Sequence, residues 1–225
     1  NYCSGLKKSN YKKNGKLVID AAGPAGNGKL IAYGGQQAPG IGVQSMGGAG
    51  VSNITITGGI IEAYGGRESA GIGAASNCDE ENIVIEGGIV TAVGKGSSAG
   101  IGCGDHRSGK NNAISGNAVV FATSGKSGAS PLEGFSYSQG IAFTRQTTSG
   151  GWSGAMYGSV RLNQSVQFPA NLTVGGGQTL ALSEGKSLTM ASGAALYVGS
   201  GGTLVNDGTL PEDNSVVCQE GGTIF

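Results

Sequence analysis

A block of about thirty residues recurs along the first half of the chain, and this repeat restricts the possible folds more than any other feature. The segment "ITGGIIEAYGG" at 56–66 returns as "IEGGIVTAVGK" at 85–95, an offset of 29 residues. A weaker earlier copy lies at 26–42 and a degraded later copy at 114–125. Repeats of this length are typical of solenoids, in which neighbouring units stack and bury a continuous core.

Each repeat contains three short runs that are rich in Ile and Val and are bounded by glycine or small polar residues. In the second copy these runs read "NITIT", "GIIEAY" and "AGIG". Runs of this kind are typical of strands separated by turns, and none is long enough for a helix. The pattern predicts an all-β fold, a right-handed single-stranded parallel β-helix (solenoid) with three short strands per coil and about seven or eight coils. The right hand follows from the general preference of parallel crossovers.

The second half of the chain repeats with a shorter period of eight residues. Leucines and glycines both keep this interval, at Leu172, Leu180, Leu188, Leu196 and Leu204 and at Gly177, Gly185, Gly193 and Gly201. Eight residues make one strand and one turn, so three units make a coil of 24 residues. The spacing predicts that Leu172 stacks on Leu196, Val174 on Val198 and Leu180 on Leu204.

Stacked repeats also predict which side chains face the core. We expect one internal ladder from the isoleucines of the Gly-Ile-Gly blocks and a second from alanines, namely Ile41, Ile72 and Ile101 and then Ala32, Ala63, Ala92 and Ala122. The glycines supply the positive φ angles that the corners need. The opposite face carries Ile31 and Ile60 and is too apolar to be bare. Either the aromatic-rich segment 131–168 covers it or a partner does.

The composition fits this fold and excludes several classes of protein. There are 46 glycines among 225 residues without the period of collagen, and 38% of residues are hydrophobic while 12% are charged, which is unlike a disordered chain. The formal net charge is zero, so no nucleic-acid partner is expected. No apolar run is long enough to span a membrane. The protein is expected to be a monomer.

The same features suggest four regions along the chain. Residues 1–16 carry several lysines and form a basic N-terminal arm or cap, and residues 17–130 form the coils with the longer repeat. Residues 131–168 break the repeat and are expected to be an irregular, aromatic-rich segment that packs on the helix. Residues 169–225 form coils of eight-residue strand and turn units and a C-terminal cap.

Two stretches of the sequence resemble a known class of repeat. "GGIVTAVGKGSSAGIG" at 87–102, with "MYGSVRLNQSVQFPANLTVGGGQTLALSEGKSLTM" at 156–190, is similar to the glycine-rich repeats of large surface proteins from gut-dwelling Gram-positive bacteria. The resemblance implies an extracellular or cell-surface location and a role in adhesion or carbohydrate binding. Ala74 and Cys103 replace the third glycine of the family block, so the chain departs from the family pattern at this turn.

The function that we expect from these features is a non-catalytic binding or spacer module whose partner is an extracellular polysaccharide or a host surface glycan. Tyr33 and Tyr64 should stack on adjacent coils and could form a platform for a sugar ring, and Trp152 is a further candidate. The alternative for the two tyrosines is that they pack beneath residues 131–168.

A polysaccharide lyase or hydrolase, or a calcium-dependent binder of acidic sugars, is the rival hypothesis. Its candidate site is the pair of turns at 79–81 and 105–107, where Asp79, Glu81 and Asp105 could hold calcium, the one cofactor that this hypothesis implies. His106, the single histidine, would have to serve any histidine-dependent mechanism. The alternative is a solvated corner of charged turn residues.

The four cysteines show no C-x-x-C pair, so a zinc or thioredoxin-like site is not indicated. Cys78 and Cys103 lie in neighbouring turns and could form a disulfide if their Cα atoms come within about 7 Å. The alternative is that both are small buried hydrophobic residues. Asn53 and Asn82 occupy equivalent places in the repeat, which suggests a hydrogen-bonded ladder of turn asparagines.

Overall fold

A computed structural model describes residues 4–7, 15–20, 28–44, 52–105 and 108–225. All the regular structure in these ranges consists of β-strands, and most strand pairs are parallel. The ranges contain no helix, and so none that could cross a membrane. The chain is therefore an all-β protein whose parallel strands form several sheets, an arrangement that is compatible with a β-solenoid.

The chain up to residue 130 contains fourteen of the described strands. These strands are β1 (Leu6–Lys7), β2 (Leu17–Ile19), β3 (Lys29–Tyr33), β4 (Ile41–Val43), β5 (Ile54–Ile56), β6 (Ile60–Tyr64), β7 (Ile72–Ala74), β8 (Glu80–Glu81), β9 (Ile83–Ile85), β10 (Ile89–Val93), β11 (Ile101–Gly102), β12 (Gly109–Lys110), β13 (Asn112–Ile114) and β14 (Val119–Ser124).

The remaining twelve strands follow residue 131. They are β15 (Phe135–Tyr137), β16 (Gly140–Gln146), β17 (Ser153–Tyr157), β18 (Val160–Leu162), β19 (Val166–Phe168), β20 (Leu172–Val174), β21 (Thr179–Leu182), β22 (Leu188–Met190), β23 (Leu196–Val198), β24 (Thr203–Asn206), β25 (Val216–Cys218) and β26 (Thr223–Ile224).

Each strand of the first half pairs with the strand one repeat further along the chain. This produces a four-stranded sheet in the order β1-β4-β7-β11, a five-stranded sheet in the order β15-β13-β9-β5-β2 and a six-stranded sheet in the order β17-β16-β14-β10-β6-β3. A two-stranded sheet joins β8 to β12. The repeat in the sequence therefore corresponds to the spacing between hydrogen-bonded neighbours.

The structure confirms both predicted internal ladders. Ile41 pairs with Ile72 and Ile72 with Ile101, and all three are completely buried. The alanine ladder pairs in the same way on the six-stranded sheet, through Ala32, Ala63, Ala92 and Ala122. Burying one isoleucine side chain contributes roughly 1.5–3 kcal/mol, so the isoleucine ladder is a main source of stability.

The predicted ladder of turn asparagines is also present. The side-chain amide of Asn82 donates a hydrogen bond of 3.0 Å to the amide oxygen of Asn53. Both residues have positive φ angles, 64° for Asn82 and 43° for Asn53, and Asn111 continues the position with a φ of 57°. Asparagine tolerates this conformation and can hydrogen-bond within the turn, which explains its recurrence every 29 residues.

The eight-residue period of the second half also gives the predicted pairs. Leu172 pairs with Leu196, Val174 with Val198, and Leu180 with Leu204, in parallel register. The recurring glycines at the corners all have positive φ angles, namely Gly177, Gly185, Gly193 and Gly201. One strand pair departs from the parallel arrangement, because β17 runs antiparallel to β16.

The six-stranded sheet separates two hydrophobic cores. Val120 and Ala122 of β14 face the core of the first half, whereas Val119 faces a core built from the second half. On β16, Ala142 faces the first core and Phe143 the second. Side chains alternate between the faces of a strand, so one sheet supplies one wall of each core.

This shared sheet corrects two expectations. The apolar outer face is covered at its β14 and β16 end by the second half of the chain as a whole, so the cover is wider than residues 131–168. At its β3 end the same face is open, since Ile31 is 45% exposed and Tyr33 is 66% exposed. Residues 131–168 are also less irregular than expected, because they form the five strands β15 to β19.

Candidate functional site

The open end of the six-stranded sheet carries a stacked pair of tyrosines. Tyr33 and Tyr64 lie opposite each other on β3 and β6, and their ring centroids are 4.9 Å apart with an interplanar angle of 11°. The strand register brings identical side chains one above the other, as the repeat predicted. The second half of the chain does not cover Tyr33, so an aromatic ring is presented to solvent.

Charged side chains border this tyrosine stack. The Nζ atom of Lys29 lies 2.7 Å from a carboxylate oxygen of Glu62, and the hydroxyl group of Tyr64 donates a 3.4 Å hydrogen bond to the other oxygen. The hydrogen bond to Glu62 raises the pKa of Lys29, and burial raises the pKa of Tyr64. Tyr64 therefore stays a neutral donor, and the site combines an aromatic face with polar groups that could contact sugar hydroxyls.

Trp152 lies elsewhere, immediately before the antiparallel strand β17. Its ring meets Phe121 edge-on at a centroid distance of 6.1 Å, and the guanidinium carbon of Arg145 lies 4.3 Å from its centroid. Trp152 also lines an open groove of about 700 Å³ beside Asn171 and Thr173. The three predicted ligand-binding residues therefore lie at two separate sites: Tyr33 and Tyr64 form the tyrosine stack, and Trp152 lies apart from it.

The acidic turns continue the 29-residue register, because Glu80 pairs with Gly109 and Glu81 with Lys110. The carboxylate of Glu81 lies 3.3 Å from the Nζ atom of Lys110. Within the described part of the chain, no three His, Cys, Asp or Glu side chains form a group that could hold a metal. A calcium site at Asp79, Glu81 and Asp105 remains a prediction, and His106 and Arg107 lie outside the described residues.

A buried carboxylate lies next to these turns. Glu80 is completely buried, its Oε2 atom accepts a 2.7 Å hydrogen bond from the side-chain amide of Asn112, and its Oε1 atom has no hydrogen-bond partner. Burial raises the pKa of Glu80 to about 8, against the opposing effect of the Asn112 hydrogen bond. The carboxyl group is closed off from solvent, so it cannot contact a polymer chain in this conformation.

Glu133 is the second carboxylate of this region. It follows Leu132, which bridges to Ile101, so Glu133 occupies the place that Gly73 and Gly102 hold in the preceding repeats. Its Oε2 atom accepts a 2.9 Å hydrogen bond from the amide of Cys103. Burial raises the pKa of Glu133, while hydrogen bonds from backbone amides oppose the rise. Asn112 links the Glu80 carboxylate to the backbone of Glu133, since it also donates a 2.8 Å hydrogen bond to the main-chain carbonyl oxygen of Glu133.

The suggested disulfide between Cys78 and Cys103 is absent from the structure, although both side chains are completely buried. The register explains this, because the pairing of Gly102 with Gly73 places Cys103 level with Ala74. Burial raises the pKa of Cys103, and the neighbouring Glu80 acts in the same direction. Cys103 therefore behaves as a small protonated core residue, the alternative that the sequence left open.

Three features of these sites were not predicted: the burial of Glu80, the role of Glu133 and the position of Arg145. A signal for Glu133 exists in the sequence, because "SPLE" at 130–133 aligns with "AGIG" at 99–102 when the offset is increased to 31. The signal is weak because only the apolar Leu132 keeps its chemical type. Nothing in the local sequence of Arg145 indicates its contact with Trp152.

Most of the predicted basic arm at 1–16 lies outside the described residues. Of its described residues, Leu6 and Lys7 form β1, which pairs in parallel with β4. Comparison with protein-family models, with curated proteins and with solved structures finds no match to this chain.

Proposed function

We propose that this protein is an extracellular, non-catalytic β-helix module that binds a polysaccharide or a host surface glycan. In this proposal the sheets form a right-handed parallel solenoid of about seven or eight coils, and the tyrosine stack at its open end contacts a sugar ring. The module resembles the glycine-rich repeats of bacterial surface proteins, which is consistent with a role in adhesion.

One observation carries the proposal, namely the exposed tyrosine stack. Tyr33 is 66% exposed, and its ring is stacked on a second ring at 4.9 Å, so it is a rigid platform that loses little conformational entropy on binding. The C–H groups of a sugar ring can pack on such a face, and its hydroxyls can then bond to the charged rim. The exposed Ile31 extends the apolar part of the same surface.

The rival hypothesis of a polysaccharide hydrolase needs two carboxyl groups that can flank a glycosidic bond. The carboxylates of Glu80 and Glu133 do not favour it, because Glu80 is completely buried and Glu133 is partly buried. No observation in the described residues favours an enzymatic function over binding, so binding is the proposed function.

A glycan array tests the proposal. The wild-type protein is expected to retain a defined subset of neutral or acidic glycans, and Tyr33→Ala is expected to weaken this binding by about tenfold or more, since truncating an exposed aromatic anchor removes most of its contact area. Tyr33→Phe keeps the ring and is expected to bind within about threefold of wild type. The array should be run with and without calcium.

Phe225 provides a matched control, because it is an exposed aromatic residue outside the stack. Phe225→Ala should bind like the wild type. Equal binding by Tyr33→Ala and the wild type, or the absence of any retained glycan, would reject the tyrosine platform. Release of reducing ends or unsaturated sugars from a polysaccharide would instead support the enzymatic hypothesis.

A further inference from the structure

Arg145 is a half-buried cation without an acidic partner. Its Nε atom donates a 3.0 Å hydrogen bond to the hydroxyl of Thr123, and its Nη1 atom donates one of 2.9 Å to the carbonyl oxygen of Thr148. No Asp or Glu of the described chain forms an ion pair with it. Burying a guanidinium without a counter-ion is unfavourable, so a position that retains one requires an explanation.

The Arg145 guanidinium is fixed in place. Its carbon lies 4.3 Å from the centroid of the Trp152 ring, which is within the range of a cation–π interaction. Together with the two hydrogen bonds, this contact orients the planar group, while the remaining N–H groups of the fork stay available. A guanidinium held in this way is preorganised to donate two parallel hydrogen bonds to an oxyanion.

Arg145 lines an open cleft of about 570 Å³ on the edge of the six-stranded sheet. The described residues around this cleft include no Asp or Glu, and they supply several hydroxyl and amide groups, from Ser127, Thr144, Gln146, Thr147 and Ser153. The cleft is therefore positively charged and rich in hydrogen-bonding groups. These properties are complementary to a ligand that carries both an anionic group and hydroxyls.

The turn that closes the cleft is strained. Thr147 has a φ of 65°, a left-handed conformation that is unfavourable for a β-branched residue. The hydrogen bond from Arg145 to the carbonyl oxygen of Thr148 holds this turn beside the guanidinium. Strain of this kind is maintained where the surrounding structure compensates for it, and it is concentrated at ligand-binding and active sites.

We propose that this cleft, which we call the Arg145 cleft, binds the carboxylate of an acidic saccharide. The guanidinium of Arg145 would pair with the carboxylate of a uronic acid residue, and the neighbouring hydroxyl groups would bond to the sugar. This inference rests on the proposed function as a glycan-binding module and defines a chemical class of glycan. It places an acid-specific subsite on the same sheet as the tyrosine stack but at its opposite end.

The protein contains a convenient reporter, because Trp152 is its only tryptophan. An oligogalacturonate added to the wild-type protein should change the tryptophan fluorescence in a saturable manner, and added salt should weaken the effect. The methyl ester of the same oligosaccharide should bind at least about tenfold more weakly, since the charge-assisted hydrogen bonds are lost. Inorganic phosphate should give no saturable change in the same concentration range.

Substitutions of Arg145 provide the second measurement. Arg145→Gln should weaken oligogalacturonate binding by about tenfold or more, and Arg145→Lys should weaken it less, because the charge is kept but the planar fork is lost. Arg161 is a matched control, since it lies on β18 and is exposed. Its guanidinium Nη1 atom is 3.7 Å from a carboxylate oxygen of Asp207. Arg161→Gln should bind within about twofold of the wild type.

The outcomes separate this inference from the proposed function. An unchanged tryptophan signal, an equal response to the methyl ester or an equal response to phosphate would overturn the acid-saccharide cleft. If Tyr33-dependent glycan binding persisted in that case, the proposed function would stand. Conversely, if oligogalacturonate changes the tryptophan fluorescence as expected but Tyr33→Ala binds glycans like the wild type, only the tyrosine stack would be rejected as a binding site. The wild-type titration decides the question even if Arg145→Gln fails to fold.

Discussion

Replacing Gly73 with alanine is expected to lower the free energy of unfolding by more than about 4 kcal/mol, a loss seen only for the most disruptive single substitutions. Gly73 has a φ of 129°, a backbone conformation that residues other than glycine rarely adopt. A Cβ atom at this position would overlap the carbonyl oxygen of Gly102 on the neighbouring strand. The Cβ position is fixed by the backbone of residue 73 and the oxygen belongs to the backbone of Gly102, so no side-chain rotation can relieve the overlap, and the strands would have to separate.

Gly185 provides the matched control for this prediction. Its φ of 68° is also positive, but no atom lies within 4 Å of its Cβ position. Gly185→Ala should therefore cost only the conformational term of about 1–2 kcal/mol. Urea unfolding of both variants measures the difference. Equal losses would show that the close stacking of the Gly-Ile-Gly strands contributes nothing beyond backbone conformation.

The second large effect is a dependence of stability on pH that arises from Glu80. Its pKa of about 8 in the folded protein lies above its ordinary value of 4.5, because the carboxyl group is buried. The contribution of protonated Glu80 to the free energy of unfolding is fully present below about pH 4.5. It decreases as the pH rises toward 8, since Glu80 loses its proton at a lower pH in the unfolded chain than in the folded protein. We expect a decrease of about 2–4 kcal/mol over this range, with Glu133 acting in the same direction.

Glu80→Gln mimics the protonated side chain and should reduce this dependence. The variant is expected to be more stable than the wild type at pH 8 by about 1–3 kcal/mol and nearly equal to it at low pH. Glu81→Gln is the control, because the neighbouring carboxylate is partly exposed and its ion pair with Lys110 should contribute less than about 1 kcal/mol. Free energies of unfolding measured across the pH range test this. An identical pH slope in Glu80→Gln and the wild type would contradict the assignment.

The strand pairs could be predicted from the sequence because the period of the repeat alone determines which residues stack on one another. Residues that occupy the same place in successive units, such as Ile72 and Ile101, must stack if the units stack at all. The inward position of the alanines and the turn role of Asn53 and Asn82 follow from the same rule. These predictions depend only on the period and on the alternation of side chains in a strand.

The sites were less predictable because they depend on contacts between parts that do not repeat. Glu133 interrupts the Gly-Ile-Gly ladder. Its carboxylate meets the Cys103 amide, and its main-chain carbonyl meets Asn112, only because Leu132 keeps the strand register. The contact of Arg145 with Trp152 requires the antiparallel return of β17, which no period indicates. The tyrosine stack was predicted, since it belongs to the repeat, but its exposure depends on how far the second half extends along the sheet.

The sheet that serves both cores determines where the chain can vary in length. At the β3 end, removal of one repeat would break only the contacts to the next repeat and would leave Tyr64 in place of Tyr33 as the outermost ring. At β14 and β16, removal of a strand would expose Val119 and Phe143 and open both cores together. Gain or loss of repeats in relatives of this protein should therefore occur toward the β3 end. The number of stacked tyrosines could then change without loss of the fold.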